Sequence, residues 1–125
     1  MPTPLRAIKQ ISVNARDLPR AVDFYRDRLG IRHLFDAPPQ MSFFDCGGMR
    51  LLVGGAEKKE LDHPSSILYF EVDDIVAAHG ELKARGVVFR DEPHVTRLSD
   101  REIWLTFFDD TEGNVLALTS EIARR

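Results

Sequence analysis

The sequence predicts an α+β fold: two tandem βαβββ modules that form a curved mixed β-sheet around a cleft, with the helices on the outer face. Three observations carry this. Apolar residues switch between a strand period and a helix period in a fixed order. The order of elements before the middle of the chain is repeated after it. The repeat also extends to detail: Asp17 to Gly30 and Asp73 to Gly86 have equal spacing, and Phe43-Phe44-Asp45 before a glycine turn is echoed by Phe107-Phe108-Asp109 before Asp110-Thr111-Glu112-Gly113. Agreement in order, spacing and motif together marks a duplicated unit. The boundaries read as module one over 6–54, a linker over 55–64 and module two over 65–120, within one domain of 125 residues.

Each element has a local reason. Arg6 to Ala15 alternates, with Ala7, Ile11, Val13 and Ala15 on one parity, Lys9 being the exception, and Ile8, Gln10, Ser12 and Asn14 on the other. Side chains alternate sides along a strand, so this is a strand with one apolar and one mixed face. Asp17 is placed to cap a helix, and Pro19 suits a first turn, where a missing N–H costs nothing. Leu18, Ala21, Val22, Tyr25 and Leu29 recur at helical spacing, and Gly30 can end the helix in a left-handed conformation. A short strand over 31–35 stops at Pro38-Pro39. Met41 to Asp45 and Met49 to Val53 form a hairpin through Cys46-Gly47-Gly48, where glycine supplies positive φ. The polar stretch around Glu57-Lys58-Lys59-Glu60 is a solvated linker. Module two then runs Ser66 to Val72, a helix after Asp73-Asp74 marked by Ile75, Ala78, His79 and Leu82, a stop at Gly86, a strand over 87–89, a break at Pro93, and strands over 101–108 and 114–119.

Composition narrows the function classes. Apolar residues are 43% and charged residues 30%, enough to build a core, so disorder is disfavoured. The net charge of −3 has no long block of one sign, which disfavours nucleic acid as a partner. No apolar run is long enough to span a membrane, and Met1 to Arg6 lacks a signal-peptide core. Cys46 is the one cysteine, so no intrachain disulfide and no CxxC motif can exist. A cytoplasmic location is the expectation. One helix covers only one face of its sheet, so the mixed parity of the strands is expected to line the cleft.

Two stretches carry a resemblance. Asp17-Leu18-Pro19-Arg20-Ala21-Val22-Asp23-Phe24-Tyr25-Arg26-Asp27-Arg28-Leu29-Gly30 and Phe107-Phe108-Asp109-Asp110-Thr111-Glu112-Gly113-Asn114-Val115-Leu116-Ala117-Leu118, set in paired modules, resemble the vicinal oxygen chelate superfamily of glyoxalases, bleomycin- and fosfomycin-resistance proteins, extradiol dioxygenases and methylmalonyl-CoA epimerases. The resemblance implies a divalent metal held by histidines and carboxylates. Its ligand positions fall here on Gln10, Leu52, Ile67 and Ala117. Of these only Gln10 has a donor atom, so the expectation is no metal and no cofactor. In many relatives a second copy completes the cleft, and open sheet edges also favour a homodimer.

The remaining candidates are weighed by position. The expected ligand-binding set is Gln10, Phe43, Leu52, Ile67, Tyr69, His94, Phe107 and Ala117, with Gln10, Tyr69 and His94 orienting the ligand. Arg50 shares the cleft parity and either holds an anion or sits in water. Phe44 and Phe108 are expected against the helices; Trp104 has helix-side parity by counting, but a bulge could flip it, so it is either core filler or one wall of an aromatic slot. His79 reads as a packing residue, His63 as solvent-facing, and His33 as facing solvent or a rim. Glu71 is a rim carboxylate or a base paired with His94. No catalytic residue is assigned. Two functions stand: a metal-free protein binding an aromatic or apolar small molecule, or a glyoxalase-like lyase, epimerase or dioxygenase. The enzyme would use a displaced metal site, or His94 with Glu71 or Glu102.

Overall fold

In the computed structural model, which describes residues 3–55 and 63–123, the chain divides into two compact units at His63/Pro64. Most of the expected linker therefore lies outside the described residues. The first unit contains β1 (Gln10–Asn14), α1 (Leu18–Asp23) with a π-helical continuation over Phe24–Arg28, β2 (Arg32–Ala37), β3 (Met41–Cys46) and β4 (Met49–Gly54). Its sheet order is β1-β4-β3-β2, with β1 parallel to β4 and the other pairs antiparallel.

The apolar parity of these strands packs on the helix. Val13, Phe44, Leu51 and Val53 are buried together with Ala21, Phe24 and Tyr25. Tyr25 lies 6.2 Å from Phe44, ring centre to ring centre, and edge-on to Phe24 at 5.4 Å. The Asp17 carboxylate accepts from the Arg20 N–H at 3.1 Å, the expected cap. The helix differs from a plain α-helix in its last turn, where the Leu29 N–H reaches the Phe24 carbonyl at 2.9 Å. The wider turn lets two consecutive residues, Phe24 and Tyr25, both point inward. Gly30 then ends the helix at φ 74°. β1 starts at Gln10 and not at Arg6 because its partner β4 begins at Met49, which leaves the upstream residues without a ladder.

The second unit contains β5 (Leu68–Glu71), α2 (Ile75–Ala84), β6 (Val88–Phe89), β7 (His94–Arg97), β8 (Arg101–Asp109) and β9 (Val115–Ala123). The order is β5-β9-β8-β6, and β7 also pairs with β8. Asp74, not Asp73, caps α2, accepting from the Ala77 N–H at 3.0 Å. Phe108, Leu116 and Leu118 are buried on the helix side, with Ile75 and Val87.

In this unit two strand limits differ from expectation and one strand is added. β5 is shorter than 66–72, and β9 runs past Thr119 because Arg101 at the start of β8 pairs with Ala123. β7 is an extra strand: β6 and β7 are one edge strand interrupted at residues 90–93, both pairing with β8. At the interruption the Asp91 carboxylate accepts from the Phe107 N–H at 2.9 Å and the Thr106 hydroxyl at 2.8 Å, doing for β8 what a strand backbone would do. Among the described residues no helix is long and apolar enough to cross a membrane.

The β8–β9 turn is held by Asp110, which is 8% exposed. One carboxylate oxygen accepts from the N–H groups of Glu112 and Asn114, each at 2.8 Å, and the other from the Asn114 side-chain amide at 2.7 Å. Gly113 supplies the positive φ of 86°. Removing the carboxylate strands buried donors, each costing about 1–3 kcal/mol. Asp110→Ala should therefore lower unfolding stability by roughly 3 kcal/mol, read from the urea midpoint at unchanged slope. A loss under about 0.5 kcal/mol, the range of an ordinary surface change, would contradict this account of the turn.

Cys46 ends β3 at the first glycine turn and is half-buried. Burial, and then the adjacent Asp45 charge, push its thiol above the ordinary range. Since the thiolate is the reactive form, alkylation should be slow at neutral pH, with a rate that keeps rising beyond the ordinary thiol pKa of ~8.5. A plateau below that value in a pH-rate series with iodoacetamide would refute it.

Candidate functional site

Because α1 covers one face of the first sheet, the other parity is left for function. Ladder register sets its rows. Ser12, Leu52, Phe43 and Phe35 face one another across β1, β4, β3 and β2, and Gln10, Arg50 and Asp45 form the adjacent row. Phe35 joins this face through a register shift between His33 and Phe35. A bulge reverses the alternation downstream of it, so simple parity assigns Phe35 to the wrong side. The Phe35 and Phe43 rings stack at 4.5 Å with 25° between planes. The Arg50 guanidinium carbon lies 5.3 Å from the Phe43 ring centre. Arg50 Nε also donates to Gln10 Oε1 at 2.6 Å.

The open face of the second sheet is also aromatic. Tyr69, Ala117 and Phe107 are register partners across β5, β9 and β8. Ala117 has almost no side chain, so the rings of Tyr69 and Phe107 meet edge-on at 6.1 Å. His94 lies nearly parallel to Phe107 at 6.1 Å on the other flank. Its Nδ1 is 3.2 Å from the Glu92 carbonyl and 3.8 Å from an Asp91 carboxylate oxygen, close enough to attract a protonated ring. Tyr69 is 53% exposed and Ile67 43%, so this face remains accessible in the chain.

The residues singled out by sequence divide by unit. Gln10, Phe43 and Leu52 share the open face of the first sheet, joined by Arg50 and by Phe35, which sequence parity missed. Tyr69, His94, Phe107 and Ala117 share the open face of the second, with Ile67 two residues before Tyr69 on the chain. Phe44 and Phe108 are fully buried on the helix sides. Trp104, paired with Val95, lies on the helix side too, its Nε1 donating to Glu102 at 3.2 Å. His79 is a buried packing residue, 4.2 Å from the Phe89 ring, with Nε2 3.3 Å from the Asp91 carbonyl.

Two alternatives left open by the sequence are narrowed by the register. His33 does not reach the open face: it pairs with Phe44, contacts that ring at 5.3 Å and bonds Asp36 at 2.8 Å. The bonds from His33 and from the Ser42 hydroxyl hold the Asp36 carboxyl below its ordinary range. The acid–base pairs suggested for an enzyme are not assembled within the second unit. Glu71 and His94 share a row but lie three strand spacings apart, about 14 Å. Glu102 occupies the opposite face from His94 and is ion-paired with Arg97 at 3.2 Å.

At the metal positions implied by resemblance, Leu52, Ile67 and Ala117 have no donor atom, and the Gln10 oxygen is occupied by a guanidinium. That donor set does not fit a divalent metal. Within either unit, among the described residues, no three His, Cys, Asp or Glu side chains are grouped to hold a metal.

Comparison with known proteins agrees with this architecture. The chain is similar to the uncharacterized protein YraH of Bacillus subtilis strain 168, at 26% identity over 87% of this chain and 94% of that protein. Its fold is similar to TnmS3, an antibiotic binding protein from Streptomyces sp. CB03234, with TM-score 0.77 and 24% identity over 94% of this chain and 98% of that one. It is also similar to lactoylglutathione lyase from Agrobacterium tumefaciens, with TM-score 0.70 and 23% identity over 94% and 96% of the two chains. The model of the Glyoxalase/Bleomycin resistance protein/Dioxygenase superfamily matches residues 7–118, and the chain belongs to that superfamily.

Proposed function

We propose that this protein binds an aromatic or apolar small molecule without a metal ion, using the open faces of its two sheets. The observation that carries the reading is the pairing of two features on those faces. Each bears an aromatic cluster, Phe35–Phe43 in one unit and Tyr69–Phe107–His94 in the other. The positions where the superfamily's metal ligands would stand bear hydrocarbon and one engaged amide. Rings that stack offset or edge-on leave π surface for a flat guest, and a few polar groups fix its orientation. Tyr69 and His94 suit that orienting role on the second face. The fold likeness to an antibiotic binding protein supports this reading over the lyase neighbour, because lyase chemistry needs groups that activate bonds. Here Glu71 is remote from His94 and Glu102 is on the other face, while Asp91, 3.8 Å from His94, already accepts from the Phe107 N–H and the Thr106 hydroxyl. We place the protein in the cytoplasm as a homodimer, with small molecules as its partners rather than nucleic acid or membrane.

Equilibrium dialysis against flat aromatic antibiotics and uncharged polycyclic probes should give a saturable ligand whose affinity is unchanged by EDTA. Phe43→Ala and Phe107→Ala should each weaken it about tenfold or more, the scale of one lost aromatic contact plus its buried area. Stoichiometric iron, nickel, manganese or zinc in untagged protein, with binding or turnover lost on chelation, would overturn the reading.

A further inference from the structure

Resting on the binding reading above, we infer that the first unit selects a ligand carrying a carboxylate, with Arg50 as the residue that receives it. Three features of the Arg50 environment point there. The guanidinium is half-buried on the open sheet face, yet among the described residues no carboxylate pairs with it. Its cross-strand neighbour Asp45 is turned to the hairpin, where it accepts from the Gly48 N–H at 3.1 Å. A half-buried cation without a counter-charge has given up part of its hydration, so an incoming anion gains more than at an exposed arginine.

The guanidinium is also pre-aimed. Its Nε–H is used by Gln10 Oε1 at 2.6 Å, which fixes the plane of the group. The side-on fork of Nε and Nη is thereby closed, and the end-on fork of the two Nη groups stays available for a bidentate carboxylate. Gln10 is thus a positioning residue: it acts through Arg50. Lysine in place of Arg50 would keep the charge and lose the fork.

The third feature is the floor. The guanidinium rests over Phe43 at 5.3 Å, and Phe43 stacks on Phe35 at 4.5 Å. A ligand held by its carboxylate at the end-on fork would lay an attached ring beside this aromatic pair. The ligand class that satisfies both parts is a planar aromatic carboxylate. A neutral analogue of the same shape would keep the stacking and forfeit the charge-assisted bonds.

The experiment compares 2-naphthoate with 2-naphthamide by equilibrium dialysis on the full chain at low salt. Wild type should prefer the carboxylate by about tenfold or more, and raising the salt should shrink that ratio without moving the amide's affinity. Arg50→Gln should bring the ratio near one while amide binding persists. Arg50→Lys should restore part of it, and Gln10→Leu should reduce it. Equal affinity of wild type for the two probes, or an undiminished ratio in Arg50→Gln, would overturn the inference and leave the binding reading intact. Failure of both probes to bind wild type would overturn both. The wild-type ratio and its salt dependence decide the matter even where a variant fails to fold.

Discussion

Among the described residues each unit of this protein has one helical segment to cover its sheet, and that shortage governs everything else. A β-strand sends alternate side chains to opposite faces, so each sheet has a face packed on its helix and a face that is not. The first face holds Val13, Phe44, Leu51 and Val53 in one unit and Phe108, Leu116 and Leu118 in the other, all buried. The second face is less completely buried: Phe43 and Ala117 on it are buried, but Phe35 and Tyr69 are exposed, and it is where the sequence places its unusual chemistry. Function can diverge there without disturbing the packing that makes the fold.

On the first open face a guanidinium is tied to Gln10 and laid on Phe43. On the second, the small side chain of Ala117 lets Tyr69 and Phe107 close over it, and the alanine is fully buried. A longer carboxylate at that position would have to part these rings.

Much of this was legible in the sequence because it is local or repetitive. The duplicated spacing from Asp17 to Gly30 and Asp73 to Gly86 gives the two helices and their caps, and Phe43-Phe44 and Phe107-Phe108 give the two faces by parity alone. What stayed hidden depends on register or on long-range pairing. The bulge at residues 33–35 turns Phe35 onto the ring of Phe43, and no alternation rule foresees a skipped residue. The π-helical turn that buries both Phe24 and Tyr25 breaks the helical period in the same way. Arg50 and Gln10 are forty residues apart, and their bond follows only from the parallel β1–β4 register. Asp91 could not be seen as a substitute strand partner, because its role exists only where β6 and β7 are interrupted.

The proposal that matters most is that Gln10, Leu52, Ile67 and Ala117 serve a small molecule and hold no metal ion. Paramagnetic manganese titrated into uniformly nitrogen-15-labelled protein tests it most directly, since a bound Mn²⁺ ion broadens the amide signals around it. The account predicts uniform, weak broadening over exposed carboxylates, with the amides of Gln10, Leu52, Ile67 and Ala117 no more affected than the average. Selective loss of those four signals at stoichiometric manganese would contradict it.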